Sequence, residues 1–393
     1  MDETSHAADT AALVPGWVRW RHALHRDPEL GFAEHRTARR VARLLGALGL
    51  QVVEGVGGTG VVGTLRVGTS ARAIALRADM DALALSEDAP QRAYASRRAG
   101  CMHACGHDGH MAMLLGAAQL LAARRDFDGT VHFVFQPAEE HGRGARAMLD
   151  DGLLQRFPAE EIYAAHNIPG LPAGHIATRA GAIMAAEDNF EIRIDGRGGH
   201  AARPHMAVDA LVVGAEIVLA LQTLVSRAVD PAQPAVVSCT SLSSDGIRNA
   251  LASRVVIDGD TRSFAPSVQA LLQRRMRELC DGIARAHGAS ASVDYRHVFA
   301  PTINDAACTA AAVAAARRVS ASVDAEVAPM LISEDFGAML QALPGAFVFI
   351  GNGDAPDTAP LHNPRYDFND AIVGVGARYF AELARMRLPR ATA

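Results

Sequence analysis

Cysteine is scarce in this chain and charge of one sign is nowhere concentrated. Five cysteines among 393 residues (Cys101, Cys105, Cys239, Cys280 and Cys308) are odd in number and scattered, which excludes a disulfide framework and points to reduced thiols. Charged residues make up 21% of the chain, with a net charge of −5 and no long block of either sign. Nucleic acid and an anionic membrane are therefore not expected as partners. No uninterrupted apolar run reaches the roughly eighteen residues of a membrane span. The first residues, "MDETSHAADTAALVPGW", lack the basic start and apolar run of a secretory leader. The expectation is a soluble, cytoplasmic protein acting on a small molecule.

What is present is length and alternation. A chain of 393 residues exceeds one ordinary core, so two domains are expected. In the first half, short apolar runs alternate with amphipathic stretches: "HRTARRVARLLGALGL", "AIALRADMD", "MAMLLGAAQLLAARR", "TVHFVFQ" and "EIYAAHN". That order predicts an α/β fold with a mostly parallel central sheet. Runs at 73–76, 131–135 and 161–165 show little polar alternation, as strands buried on both faces should. Near residue 187 the pattern changes to "NFEIRIDG", a helix, two strands, a helix and a strand, the β-α-β-β-α-β order of a ferredoxin-like α+β domain. After Pro301, "AFVFIG" reads as a return to the first sheet. The expected boundaries are 1–185 and 299–393 for one domain, with 186–298 inserted.

The chemistry collects where the buried strands end. One run leads to Asp79 and Asp81, the next to Glu139 and Glu140, a third to His166, and "AFVFIG" to a loop carrying His362. Ligands of open α/β sheets bind outside the carboxyl ends of the strands. The decapeptide "CMHACGHDGH" (101–110) precedes a helix whose N-terminus faces the same edge. A nucleophilic Cys105 with a histidine base is one reading of it. A metal site is the other, and it also employs the glutamates and His166, because thiolate, imidazole and carboxylate are zinc ligands. Beside an ion the adjacent glutamates can divide the work, one binding it and the other taking a proton from water. "GVGGTG" (55–60) opens no helix and is followed by no Lys-Ser/Thr, so it is a turn between strands rather than a phosphate loop.

From about Leu13 to Leu383 the chain resembles the aminoacylase and carboxypeptidase-G-like metallopeptidases, in the subgroup of hippurate hydrolases and indole-acetyl-amino-acid amidohydrolases. The stretches carrying the resemblance are "GGTGVVG", "ALRADMDAL", "MHACGHDGH", "FQPAEE", "HNIPGLPAG", "GRGGHAARPH", "SEDFG" and "LHNP". It implies a zinc-peptidase-like catalytic domain with an inserted lid domain that mediates dimerisation, and hence a homodimer or higher homo-oligomer. It also implies Cys105, His107, Glu140, His166 and His362 as ligands of two divalent metal ions, with Glu139 as general base. Cys105 stands where many relatives have a bridging aspartate; a softer bridge favours zinc, with manganese, cobalt and nickel as alternatives. Asp79 and Asp81 occupy the place of the wider family's His-x-Asp motif. Asp81 is assigned to holding a ligand histidine, and Asp79 receives no role.

By the same resemblance His200 stabilises the oxyanion of the tetrahedral intermediate in the partner subunit's site. Asn249 and Arg262 match residues that hold the substrate, although the family's Asn-x-Ile-Pro is "NALA" (249–252) here. His103 and His110, which flank the ligand pair, are read as structural or as supports of the ligand residues rather than as ligands. The activity implied is hydrolysis of an N-acyl-amino acid to a carboxylate and a free amino acid. A dipeptidase or aminopeptidase with the same centre is the alternative among enzymes, and a binding protein with decayed machinery the alternative outside them.

Overall fold

The computed structural model describes residues 3–356 and 358–390. Along the chain run helices α1 (Glu3–His25) and α2 (His35–Ala47), strands β1 (Gln51–Val56), β2 (Gly60–Val67) and β3 (Ala73–Asp79), and helix α3 (His107–Arg124). Strand β4 (Gly129–Gln136), helix α4 (Gly144–Asp150), strand β5 (Glu161–Pro169) and the short β6 (Ile176–Ala177) follow. Next come β7 (Ala186–Asp195), α5 (Ala210–Thr223), β8 (Ala235–Ser244), β9 (Arg254–Ser263), α6 (Pro266–Ala286) and β10 (Ser290–Phe299). The chain closes with α7 (Ala306–Val319), β11 (Val323–Asp324), α8 (Phe336–Leu340), β12 (Gly345–Gly353) and α9 (Val373–Arg387).

These elements form two compact units. The first comprises the described residues up to Ile183, Ile303–Ala328, and those from Asp335 onward. The second is Met184–Thr302 joined by Pro329–Glu334. The return of Pro329–Glu334 is not anticipated by the expected boundaries, because six residues carry no periodicity from which to assign them.

The first unit holds an eight-stranded sheet in the order β1-β2-β4-β3-β5-β12-β6-β11. Its four central strands, β4, β3, β5 and β12, are parallel, as their unbroken apolar runs predict. β1 and β2 add to one side as an antiparallel hairpin closed by the glycine-rich turn. α3 is buried along nearly its whole length, with Leu114, Leu115 and Leu121 fully enclosed. Burying each such leucine contributes about 1.5–3 kcal/mol, so the first residues of α3 stand on a rigid support. Gly116 brings α1 and α9 close, since a Cβ there would meet Trp17 and Ala377.

The second unit is a four-stranded antiparallel sheet, β8-β9-β7-β10, with α5 and α6. This is the ferredoxin-like order. Alternate residues of β7, Phe190, Ile192 and Ile194, enter its core with Val213, Ile217 and Leu221 of α5. The stretch Ala210–Ala228 is long and apolar enough by length and composition to cross a membrane, and about 33% of it is buried within the structure.

Candidate metal centre

In the first unit, parallel register brings the strand ends level. Asp79, the last residue of β3, pairs with Gln136, the last of β4, and Arg77 pairs with Ala164, two residues before His166 on β5. His166 in turn lies opposite Phe349 of β12. The segments carrying Asp81, Glu139, Glu140 and His166 therefore leave the sheet at one edge. Cys105 and His107 join them because α3 begins there at His107. Gly106 between them has φ +94°, and a Cβ on it would come within 2.2 Å of Asn167 Oδ1, so no other residue fits. Ala138 (φ +50°) and His362 (φ +62°) also hold left-handed backbone without being glycine, strain that clusters at functional sites. The surroundings enforce both: the buried Glu34 carboxylate accepts the Ala138 N–H at 2.8 Å, and the His362 N–H donates to the Ala104 carbonyl at 2.8 Å.

Two histidines present Nε2 towards the same space. His107 donates Nδ1–H to the Asp81 carbonyl at 2.9 Å, and His166 donates Nδ1–H to the Asn167 carbonyl at 2.6 Å. A carbonyl only accepts, so in the neutral ring each Nε2 keeps its lone pair. His166 Nε2 lies 3.4 Å from Cys105 Sγ, His107 Nε2 lies 3.9 Å from Glu140 Oε1, and His362 Nε2 lies 3.6 Å from Glu140 Oε2. Donor atoms of Cys105, His107 and His166 fall within 4.8 Å of one another, and so do those of Cys105, Glu140 and His362. Cys105 belongs to both groups. His107 Nε2 and Glu140 Oε1 are buried with no hydrogen-bond partner among the described residues. Two unpartnered polar atoms so close together are costly to bury unless a cation, a proton or a metal ion, lies between them. The donor set therefore fits divalent metal.

The electrostatics agree. Burial opposes charge on His107, but Asp79, Asp81 and Glu140 outweigh it and raise its pKa to about 10 in the metal-free protein. Burial pushes the Glu140 carboxyl up to about 7 against the pull of His107. Asp79, despite full burial, is held well below the usual carboxylate range by His107, His110 and Arg77. An excess of negative groups stabilises whatever cation is offered, here a proton.

Asp81 grips both glutamates and faces His107. Its two oxygens accept the Glu139 and Glu140 N–H groups, each at 3.1 Å, and Oδ1 lies 3.3 Å from His107 Nδ1. Asp79, without a role in the sequence reading, bonds His110 Nδ1 at 2.7 Å and accepts from Arg77 at 2.8 Å. His110 also meets Asn167 through Nε2 at 2.7 Å, which leaves it engaged at both nitrogens. His103 is buried, with both ring nitrogens lacking partners among the described residues, and burial lowers its pKa to about 4.

The residues that sequence reading missed are Arg77, Asn167, Asp335 and Glu34, all buried. A signal existed for Arg77, a charge inside the otherwise apolar "AIAL" strand. Asn167 and Asp335 lie in "HNIPGLPAG" and "SEDFG", stretches that carry the family resemblance but say nothing of a role for either; Glu34 had no signal.

His200, Asn249 and Arg262 belong to the second unit. His200 is exposed on a two-residue strand pairing with Ala250, and its Nδ1 accepts the Ala202 N–H at 3.0 Å, which puts the ring proton on Nε2. Asn249 is exposed, and its carbonyl accepts the Ala201 N–H at 3.1 Å. Arg262 is engaged by Glu187 at 2.7 Å, Asp260 at 2.8 Å and Ser333 Oγ at 2.6 Å.

Ligand atoms held ready for cations, with a second carboxylate on the same turn, are the equipment of a metal-dependent hydrolase. Residues 75–386 match Peptidase family M20/M25/M40, and the chain belongs to that family. It is 37% identical over 366 residues to a hippurate hydrolase of Campylobacter jejuni, spanning 93% of this chain and 94% of that one. It is 36% identical over 370 residues to an N-acetylcysteine deacetylase of Bacillus subtilis, spanning 93% and 95%. Among solved structures, the Bacillus subtilis YXEP protein, a dinuclear metal binding peptidase of family M20, superposes with a TM-score of 0.84 at 33% identity, covering 96% of this chain and 99% of that one. The chain is thus an amidohydrolase of the metallopeptidase kind.

Proposed function

We propose that this amidohydrolase cleaves N-acyl-amino acids, hippurate-like or N-acetylated, at an amide held against two divalent ions. The observation that carries the reading is Cys105, whose sulfur belongs to two ligand groups at once, beside the Glu139–Glu140 turn. Cys105, His107, Glu140, His166 and His362 would hold the ions. When bound, the ions supply Lewis acidity towards the amide carbonyl and make a water molecule more acidic. Glu139, with its backbone fixed by Asp81, takes a proton from the attacking water and delivers it to the departing nitrogen. Asp81 keeps His107 in the tautomer that leaves Nε2 available. Zinc suits the thiolate best, with manganese, cobalt and nickel as alternatives.

The second unit is assigned the role of lid and dimerisation domain. Leu211, Val212 and Leu219 of α5 are 45%, 54% and 71% exposed. β8, at the sheet edge, carries no charge from Ala235 to Ser244. An uncharged edge beside an apolar helix face favours a second copy of the chain. His200, with its proton on Nε2, is the donor for the oxyanion of the partner subunit's site. Asn249 and Arg262 hold the substrate's carboxylate end, which requires Arg262 to exchange Glu187 or Asp260 for the substrate. Five free thiols support a reducing, cytoplasmic setting.

The test is a panel of N-acetyl-, N-benzoyl- and long-chain N-acyl-amino acids assayed after chelation and after return of each metal. Metal-dependent release of free amino acid is expected. Turnover confined to substrates with a free α-amine would replace this reading with a dipeptidase or aminopeptidase.

A further inference from the structure

Arg77 lies within the fully buried β3, and its own exposure is 1%. Burying a guanidinium costs several kcal/mol unless every edge is matched, and here each edge meets a different segment. Nε donates to Gln136 Oε1 at 2.9 Å, Nη1 to Asp79 Oδ2 at 2.8 Å, and Nη2 to Asp335 Oδ1 at 3.1 Å. Each contact leads on to the candidate centre. Asp79 bonds His110 at 2.7 Å and lies 3.8 Å from His107 Nδ1. Gln136 ends the strand that runs through Pro137 and Ala138 into Glu139. Asp335 is held from three sides, by Arg77, by Gln136 Nε2 at 2.7 Å and by the Ala145 N–H at 2.9 Å. So fixed, it turns its own N–H towards Glu139 Oε1 at 3.4 Å.

We infer that Arg77 and Asp335 form a positioning unit for the carboxylate of Glu139. Arg77 locks Asp335, the Asp335 amide orients the Glu139 carboxylate, and the same guanidinium ties that arrangement through Asp79 to the helix that bears His107. Asp81 holds the backbone of Glu139; Asp335 aims its side chain. The inference rests on the reading of Glu139 as general base. An ordinary buried ion pair would need only one of the three edges. Three edges fix relative position as well as charge, and a displacement of about 1 Å at a reacting group can cost about a hundredfold in rate.

Lysine at position 77 would keep the charge but, as a point cation, could not span all three partners. Arg77→Lys and Asp335→Asn are made singly, together, and each in a Glu139→Gln background. Metal content per subunit, thermal midpoint, kcat and KM are measured on the metal-loaded enzyme. The expected result is full metal content and unchanged KM, with kcat lowered on the order of a hundredfold in each single variant. The pair together should lose little more than one alone, and neither should lower turnover further once Glu139 is Gln. Wild-type kcat in a folded, metal-replete Arg77→Lys would overturn the inference. So would a kcat loss that follows metal loss and is reversed by excess metal, or losses that multiply. Should Arg77→Lys fail to fold, Asp335→Asn decides alone, since it removes one acceptor and leaves the guanidinium paired. Glu139→Gln at wild-type turnover would instead remove the base assignment itself, a result separate from any effect at Arg77.

Discussion

Cys105 and His166 meet with Sγ 3.4 Å from Nε2, across a separation of 61 residues in sequence. His166 is tied at Nδ1 to a carbonyl, and burial, then His110, keeps its pKa well below the ordinary histidine value. A neutral imidazole facing a thiol serves a shared cation as readily as it serves as base to a nucleophile. Cys105→Ala separates the two. It should lose bound metal and activity together, as measured by elemental analysis and turnover. Full metal with no activity would make the thiol the nucleophile.

The two glutamates should part company on substitution. Glu139→Gln keeps the shape of the side chain and removes the base, so turnover should fall at least about a hundredfold with metal retained. Glu140→Gln should weaken metal binding, read by competition with a chelator. Reversed phenotypes would exchange the two roles.

A pH effect on stability is expected well away from the glutamates, at His25. This buried side chain meets Asp108 at 2.9 Å and Glu87 at 3.3 Å. Burial opposes its charge, but Asp108 and Glu87 prevail and raise its pKa to about 9. A raised histidine pKa adds stability that is complete below the unfolded value of about 6.5 and is lost as pH climbs through the folded value. In metal-free protein His25 should therefore contribute a loss of stability between about pH 6.5 and 9 of up to about 3 kcal/mol, added to the loss from His107, whose pKa is raised to about 10. In His25→Gln the slope should become shallower by the His25 share while the His107 share remains, and denaturant titrations of both proteins across the window would show the difference. An equally steep slope in the variant would assign the effect to other groups.

His200 offers a test of site sharing. Mixed dimers of His200→Ala and Glu139→Ala chains would contain one site with Glu139 from one chain and His200 from the other. Random reassembly makes about half of the dimers mixed, each with one intact site, so roughly a quarter of wild-type activity should return. Each variant alone should be nearly inactive. Continued inactivity after subunit exchange, verified with differently tagged chains, would place His200 in the site of its own chain.

Much of this was open to reading in the sequence because it depends on local pattern. Unbroken apolar runs specify strands covered on both faces, and such strands pair in parallel; the acids and histidines that follow them must then gather at one edge. Period-two alternation after residue 187 likewise specified a half-exposed sheet. The conformations of Gly106, Ala138 and His362, and the partners of Asp79, could not be read this way. Arg77 and Asp335 stand 258 residues apart, and no periodicity links residues so distant. Their pairing follows from the order in which strands enter the sheet and from the need of a buried charge for partners. The residue types around the candidate metal centre were thus determined by the sequence. Which atom of each faces the shared space was decided by tertiary packing, because only there do desolvation and hydrogen-bond geometry choose among the partners a side chain could accept.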